Sequence, residues 1–183
     1  PEVKKVILEV LYYQFSYENI ESVANHIAIT YLLDIAKADN DTELYNDLIY
    51  FKNASIGNKG YDFDIVIYDE EGKATVKKMH DLDEAENYLI VFWSTTCSHC
   101  LEEIPQLLEY VKTINPEQLK VIAIALDEDR YRWKEMIKKY PEFYHVFGEG
   151  KWDNPIGDNY NVKATPSYFV LDKNKVIIKK PYD

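Results

Sequence analysis

Cys97 and Cys100 stand three positions apart where one kind of sequence hands over to another, and the chain has no other cysteine. Before them, Tyr88 to Phe92 is an apolar, β-branched run with the composition of a buried strand. After them, Leu101, Ile104, Leu107, Leu108 and Val111 recur at helical spacing. The pair therefore falls at a strand-to-helix turn. Sulfurs at i and i+3 can close a small ring there, and the first sits over a helix N-terminus, whose unpaired N–H groups favour a thiolate. Three readings compete. A structural zinc site wants four ligands, but there is no second cysteine pair, and His26, His80 and His145 are scattered without ligand spacing. An inert chance pair is the dullest reading. Reversible dithiol chemistry is favoured, because both cysteines occupy the one place that suits it.

Composition narrows the field. With 183 residues, 46% of them apolar, the chain can bury the core of one domain or one and a half. A net charge of -11 leaves no basic surplus to neutralise phosphates, which excludes nucleic acid as a partner. No apolar run approaches the roughly 18 residues of a membrane span. The chain begins at Pro1 and shows no signal peptide, so a trimmed fragment is expected, its targeting segment lost. Two cysteines in one motif leave none for a structural disulfide, and their number assigns no redox compartment.

Residues 1–54 have helical periodicity in three stripes: Val3, Val6, Ile7, Val10, Leu11; then Ile20 through Ile35; then Leu44, Tyr45, Leu48, Phe51. Ser16 and Thr42 read as helix starts, and Ala38-Asp39-Asn40-Asp41 as a break. This region carries no candidate chemistry, and packing or partner docking is its expected role. Asn53 to Gly60 is the best boundary. Beyond it, Tyr61 to Ile67 alternates as a strand, Glu70-Glu71-Gly72-Lys73 reads as a hairpin turn, and Ala74 to Met79 returns. Past the cysteine helix, which Pro105 should bend, come a strand at Val121–Leu126, a helix at Arg130–Tyr140 and a strand at Phe143–Phe147. A brief helix at Ile156–Tyr160 and two strands, Tyr168–Leu171 and Val176–Ile178, follow. Such alternation predicts an α/β sheet covered on both faces.

At Phe92-Trp93-Ser94-Thr95-Thr96-Cys97-Ser98-His99-Cys100, with Glu103 and Pro105 following, the sequence resembles the thioredoxin-like thiol–disulfide oxidoreductases of the TlpA/ResA type. Tyr160-Asn161-Val162-Lys163-Ala164-Thr165-Pro166-Ser167 is similar to that family's cis-proline loop, and Gly57 to Phe63 with the Gly72 turn to its N-terminal hairpin. The resemblance spans about residues 56–180. It implies a thioredoxin fold: a central mixed sheet flanked by helices, an N-terminal β-hairpin and the TlpA-type helix–strand insertion. The expected division is 1–54, a small all-α region outside the match, and 55–183, a thioredoxin-like domain whose C-terminal helix is missing. By the same resemblance Cys97 is the exposed nucleophile, and Cys100 the buried cysteine that resolves the mixed disulfide. Pro166 would be cis, and the Thr165 backbone would pair with substrate. Trp93, grouped with the substrate-binding residues, would pack beneath the motif; Glu103 and Pro105 would support it.

Two positions depart from the pattern. Thr96 stands where relatives have tryptophan, and Val91 where thioredoxin has a buried aspartate that helps move the Cys100 proton. Ser98 and His99 fill the variable dipeptide; His99 can stabilise the Cys97 thiolate, and with Thr96 these are the expected redox-tuning residues. A couple more oxidising than the roughly -270 mV of thioredoxin is therefore expected. The resemblance implies no cofactor and no metal, and partners that are disulfide-containing or dithiol proteins. It also brings in a membrane electron donor and a bacterial envelope or periplasmic location. Residues 1–54 would serve as a partner or dimer interface. The alternatives are a peroxiredoxin-type thiol peroxidase and a non-catalytic envelope binding module. Against the peroxidase, Ile90 and Ser94 occupy the positions where its approach motif wants proline and threonine.

Overall fold

The computed structural model describes residues 2–68, 71 and 73–181. Parallel strands buried on both sides need near-continuous apolar runs, and two segments supply them. These are β3 (Asn87–Trp93) and β4 (Leu119–Leu126), which pair in parallel with Trp93 opposite Ala125. On the far side of β4 lies parallel β5 (Tyr144–Gly148). On the far side of β3 lies antiparallel β6 (Ser167–Asp172), followed by antiparallel β7 (Ile177–Lys179). The order β5-β4-β3-β6-β7 is a central mixed sheet, as expected. A separate hairpin pairs β1 (Asp64–Tyr68) with β2 (Ala74–Lys78). Glu70 and Gly72 of its expected turn lie outside the described residues.

Alternation along the strands sends side chains to two cores. Leu89, Val91, Trp93, Val121, Ala123 and Ala125 face α5 (Ser98–Val111) and α6 (Arg130–Ile137), meeting Cys100, Ile104, Leu108 and Trp133. Tyr88, Ile90, Phe92, Ile122, Ile124 and Leu126 face the other way, onto Phe63, Ile65, Met79, Leu82 and Tyr160. Pro105 lies inside α5 on its exposed side, so the missing N–H falls on the solvent face. The pair α6–β5 falls between the cysteine helix and the β6–β7 hairpin, where the resemblance puts its extra helix–strand element. A short α7 (Pro155–Asn159), capped by the Asn154 side chain, leads to the loop before β6.

The N-terminal residues form α1 (Glu2–Tyr17), α2 (Glu21–Ile27), a π-helical turn (Ala28–Leu32), α3 (Leu33–Ala38) and α4 (Thr42–Asn53), around Tyr12, Ala24, Leu32 and Leu48. Two expectations are corrected here and one holds. Ser16 does not start a helix: it lies in the last turn of α1 and its hydroxyl donates to the Tyr13 carbonyl. Thr42 starts α4 as expected, and Asp41 before it is the cap, its carboxylate accepting the Leu44 N–H. Most of the first apolar stripe faces outward: Val3, Val6, Ile7 and Val10 are exposed, while Leu8, Leu11, Tyr12 and Phe15 face the core. Nor do residues 54–60 hang free. The Gly57 and Gly60 N–H groups donate to the Ile177 and Lys175 carbonyls, and Ile56 N–H donates to the Glu21 carboxylate. That carboxylate also pairs with Lys180 just after β7.

Candidate active site

Because β3 ends at Trp93 and α5 begins at Ser98, the intervening turn must reverse direction within four residues. Cys97 is the N-cap of α5, in extended backbone geometry, and its sulfur accepts the Cys100 N–H at 3.2 Å. A helix N-cap accepts such a bond with a side-chain oxygen in most proteins; here sulfur takes the place and holds one of the free amides of the first turn. Cys97 and Cys100 are joined as a disulfide with Cα atoms 5.3 Å apart. Their surroundings differ. Cys97 is half-buried, whereas Cys100 is fully enclosed by the α5-side core.

β6 brings in the second part of the site. Its first residue, Ser167, pairs with Phe92, which sets the preceding loop beside the cysteine turn. The Thr165 carbonyl oxygen lies 3.3 Å from the Cys97 sulfur, and the Thr165–Pro166 peptide is cis. Thr96, Ser98 and His99 are exposed around the disulfide. Trp93 differs from its expected grouping with the substrate contacts: it has no exposed surface and meets Tyr140 edge-on, so it is a floor under the turn. Glu103 is half-buried one helical turn beyond Cys100 and accepts a 2.7 Å hydrogen bond from the Tyr168 hydroxyl of β6. Pro105 makes no part of the sulfur's surroundings and stays on the outer face of α5. Val91 is buried in the sheet core opposite Tyr168.

Over residues 86–177, half of the chain, the sequence matches the thioredoxin-like family model. The chain belongs to the thioredoxin-like family. It is 29% identical over 125 residues to the thiol–disulfide oxidoreductase ResA of Bacillus cereus, an alignment that covers 68% of each chain. Among solved structures it resembles a domain of a possible thiol–disulfide isomerase from Cytophaga hutchinsonii. That match has 27% identity and a TM-score of 0.56, covering 70% of this chain and 84% of the other. The thioredoxin domain of a thiol–disulfide oxidoreductase from Bacteroides vulgatus shares the fold at 19% identity. Its TM-score is 0.57, with 70% and 89% of the two chains covered. With a thioredoxin-like fold and its two cysteines bonded at the turn, this chain is a thiol–disulfide oxidoreductase.

Sequence reasoning missed residues that the fold adds to this thioredoxin-like centre. Asp127, directly after β4, is buried and accepts hydrogen bonds from the Ser94 hydroxyl at 2.8 Å and the Thr95 N–H at 2.9 Å. A signal for it existed: a carboxylate immediately after the apolar run Val121–Leu126 of a parallel strand stands at the strand ends where α/β sheets build their sites. Tyr168 as the partner of Glu103 had no such signal, since it depends on the register of β6. A cleft of about 720 Å³ between β1 and α6, lined by Trp133, Phe147 and Arg130, includes none of the residues around the cysteines.

Proposed function

We propose that this oxidoreductase acts on protein disulfides through a mixed disulfide on Cys97, with Cys100 as the resolving thiol. The observation that carries the reading is the asymmetry of the pair: one sulfur half-exposed at a helix N-cap, the other enclosed. In the reduced protein the Cys97 thiolate attacks a substrate disulfide, forming one S–S bond and expelling one substrate thiolate. Cys100, once deprotonated, attacks Cys97 and releases the second. Two electrons pass from the protein dithiol to the substrate, and the protein ends as the disulfide. An external dithiol must restore it, and a membrane-borne donor in the bacterial envelope fits the resemblance to the TlpA/ResA type. The Thr165 carbonyl beside the sulfur supports pairing of this backbone with an extended substrate segment. Thr165 and Pro166 form that shelf, Thr96, Ser98 and His99 tune the sulfur, and Glu103 and Pro105 shape the helix behind it. Residues 1–54 and 55–183 are separate units in this reading. The exposed valines of α1 suit the first to docking rather than chemistry.

A Cys100→Ser variant should accumulate substrates as mixed disulfides on Cys97 that diagonal gels resolve. Insulin reduction should vanish in Cys97→Ser. Turnover that survives that substitution would remove the reading.

A further inference from the structure

We propose that Asp127 is a positioning residue of the dithiol centre: its carboxylate is clamped against the turn that presents Cys97, and its charge disfavours the thiolate there. The inference rests on Cys97 being the attacking sulfur.

Among the described residues Asp127 is the only buried carboxylate. It has no ion pair among them, and two donors from one turn satisfy it: Thr95 N–H to Oδ2 and Ser94 O–H to Oδ1. The Ser94 oxygen also accepts the Thr96 N–H at 3.2 Å and lies 2.9 Å from the Thr96 hydroxyl. A hydroxyl has one hydrogen, and that of Ser94 goes to the carboxylate, which has none to return. Thr96 O–H therefore donates to Ser94, and the chain runs one way, from Thr96 through Ser94 to Asp127. The Ser94 carbonyl in turn accepts the Cys97 N–H at 3.2 Å. Three consecutive residues before the nucleophile are thus tied to one anion on the neighbouring strand. Thr96, at the position where the resemblance expects tryptophan, supplies the outer hydroxyl.

Other titratable groups surround the turn without taking this place. His99 is exposed on α5, Glu103 is engaged by Tyr168, Glu128 is exposed, and Asp129 caps α6 through the Arg132 N–H. A like charge held in a poorly solvated position works against ionisation of a neighbouring thiol. The first-turn amides of α5 favour the thiolate and Asp127 opposes it. The reactivity of Cys97 is the difference between the two.

The test compares wild type, Asp127→Asn and Ser94→Ala in two measurements: the rate of iodoacetamide alkylation of the reduced protein followed across pH, and equilibration with glutathione. Because Cys100 is enclosed, alkylation reports Cys97. In Asp127→Asn the alkylation midpoint should fall by about one pH unit, a tenfold rise in the acidity constant of Cys97. The glutathione constant should move toward an oxidising couple by up to about tenfold, or ~30 mV, the full amount holding where Cys97 is ionised at the working pH. Ser94→Ala strips a donor from the carboxylate, strengthens its field, and should raise the midpoint by at least about 0.3 pH unit, twofold in the acidity constant and the opposite sign. A folded Asp127→Asn protein with lower Tm but an unchanged glutathione constant overturns the proposal, leaving Asp127 a mere loop anchor. Where Asp127→Asn does not fold, Ser94→Ala decides, and an unchanged or lower alkylation midpoint overturns it. Insulin reduction that is independent of Cys97 would instead sink the underlying assignment of the nucleophile.

Discussion

His99→Pro is the most direct probe of what the helix end does for the sulfur. Cys97 caps α5, Ser98 and His99 fill the first two helical positions, and Cys100 N–H donates to the Cys97 sulfur. Proline is tolerated in a first helical turn, because an N–H there has no intrahelical partner to lose. The substitution should therefore leave α5 intact while deleting one amide dipole and one side-chain donor beside the sulfur. Charges at helix N-termini gain typically about 0.3–1 kcal/mol, more where partly buried. His99 is exposed, so solvent screens its side chain, and the loss is placed at about 0.5–1 kcal/mol. At 30 mV per 1.4 kcal/mol this makes the couple about 10–20 mV more reducing. Equilibrating each protein against graded glutathione ratios, with alkylation to count free thiols, reads the shift. A potential that stays put or becomes more oxidising would refute the claim that first-turn donors hold the thiolate, provided circular dichroism shows α5 retained.

Two further outcomes concern the scaffold. Ile104→Ala removes side-chain carbons that are 1% exposed behind Cys100, and should cost about 2–5 kcal/mol in urea unfolding. Ile7→Ala, on the outward face of α1, should change stability by less than about 0.5 kcal/mol; equal effects would contradict the burial described here. His145 is pushed below its ordinary pKa by burial, against a hydrogen bond to the Tyr140 carbonyl. The unfolded chain then binds the proton more readily, so its contribution to stability is present above about pH 6.5 and is lost as pH falls below it. His145→Gln should flatten that slope between pH 7 and 5, and an unchanged slope would assign it to other groups.

How much of this could be read from the chain varies with what holds each element. β3 and β4 are buried on both faces, so their composition alone marks them, and the dithiol turn between β3 and α5 was equally plain. α1 misled because it is apolar on two sides. The Val3–Val10 stripe and the Leu8–Phe15 stripe have the same period, and only the packing of α2 and α4 decides which one is covered. Thr165 was reached through the resemblance, since nothing local ties it to Cys97. Asp127 went unread because it lies one strand away in register, and its bonds to Ser94 and Thr95 exist only once β3 and β4 pair. The Glu103–Tyr168 contact waits on β6 in the same way.

The disulfide closes a loop with a sequence separation of only 3. In the chain-entropy description, so short a closure restrains the unfolded ensemble by about 2 kcal/mol, against about 4.7 for a hundred-residue loop. Opening the bond therefore costs the molecule little, since the cores built on Ile90, Ile104 and Leu48 do not depend on it. On this count the oxidised protein should exceed the reduced one in stability by no more than about 2 kcal/mol. By the thermodynamic cycle, whatever difference remains between their unfolding free energies must equal the gap between this protein's redox potential and that of its own unfolded chain.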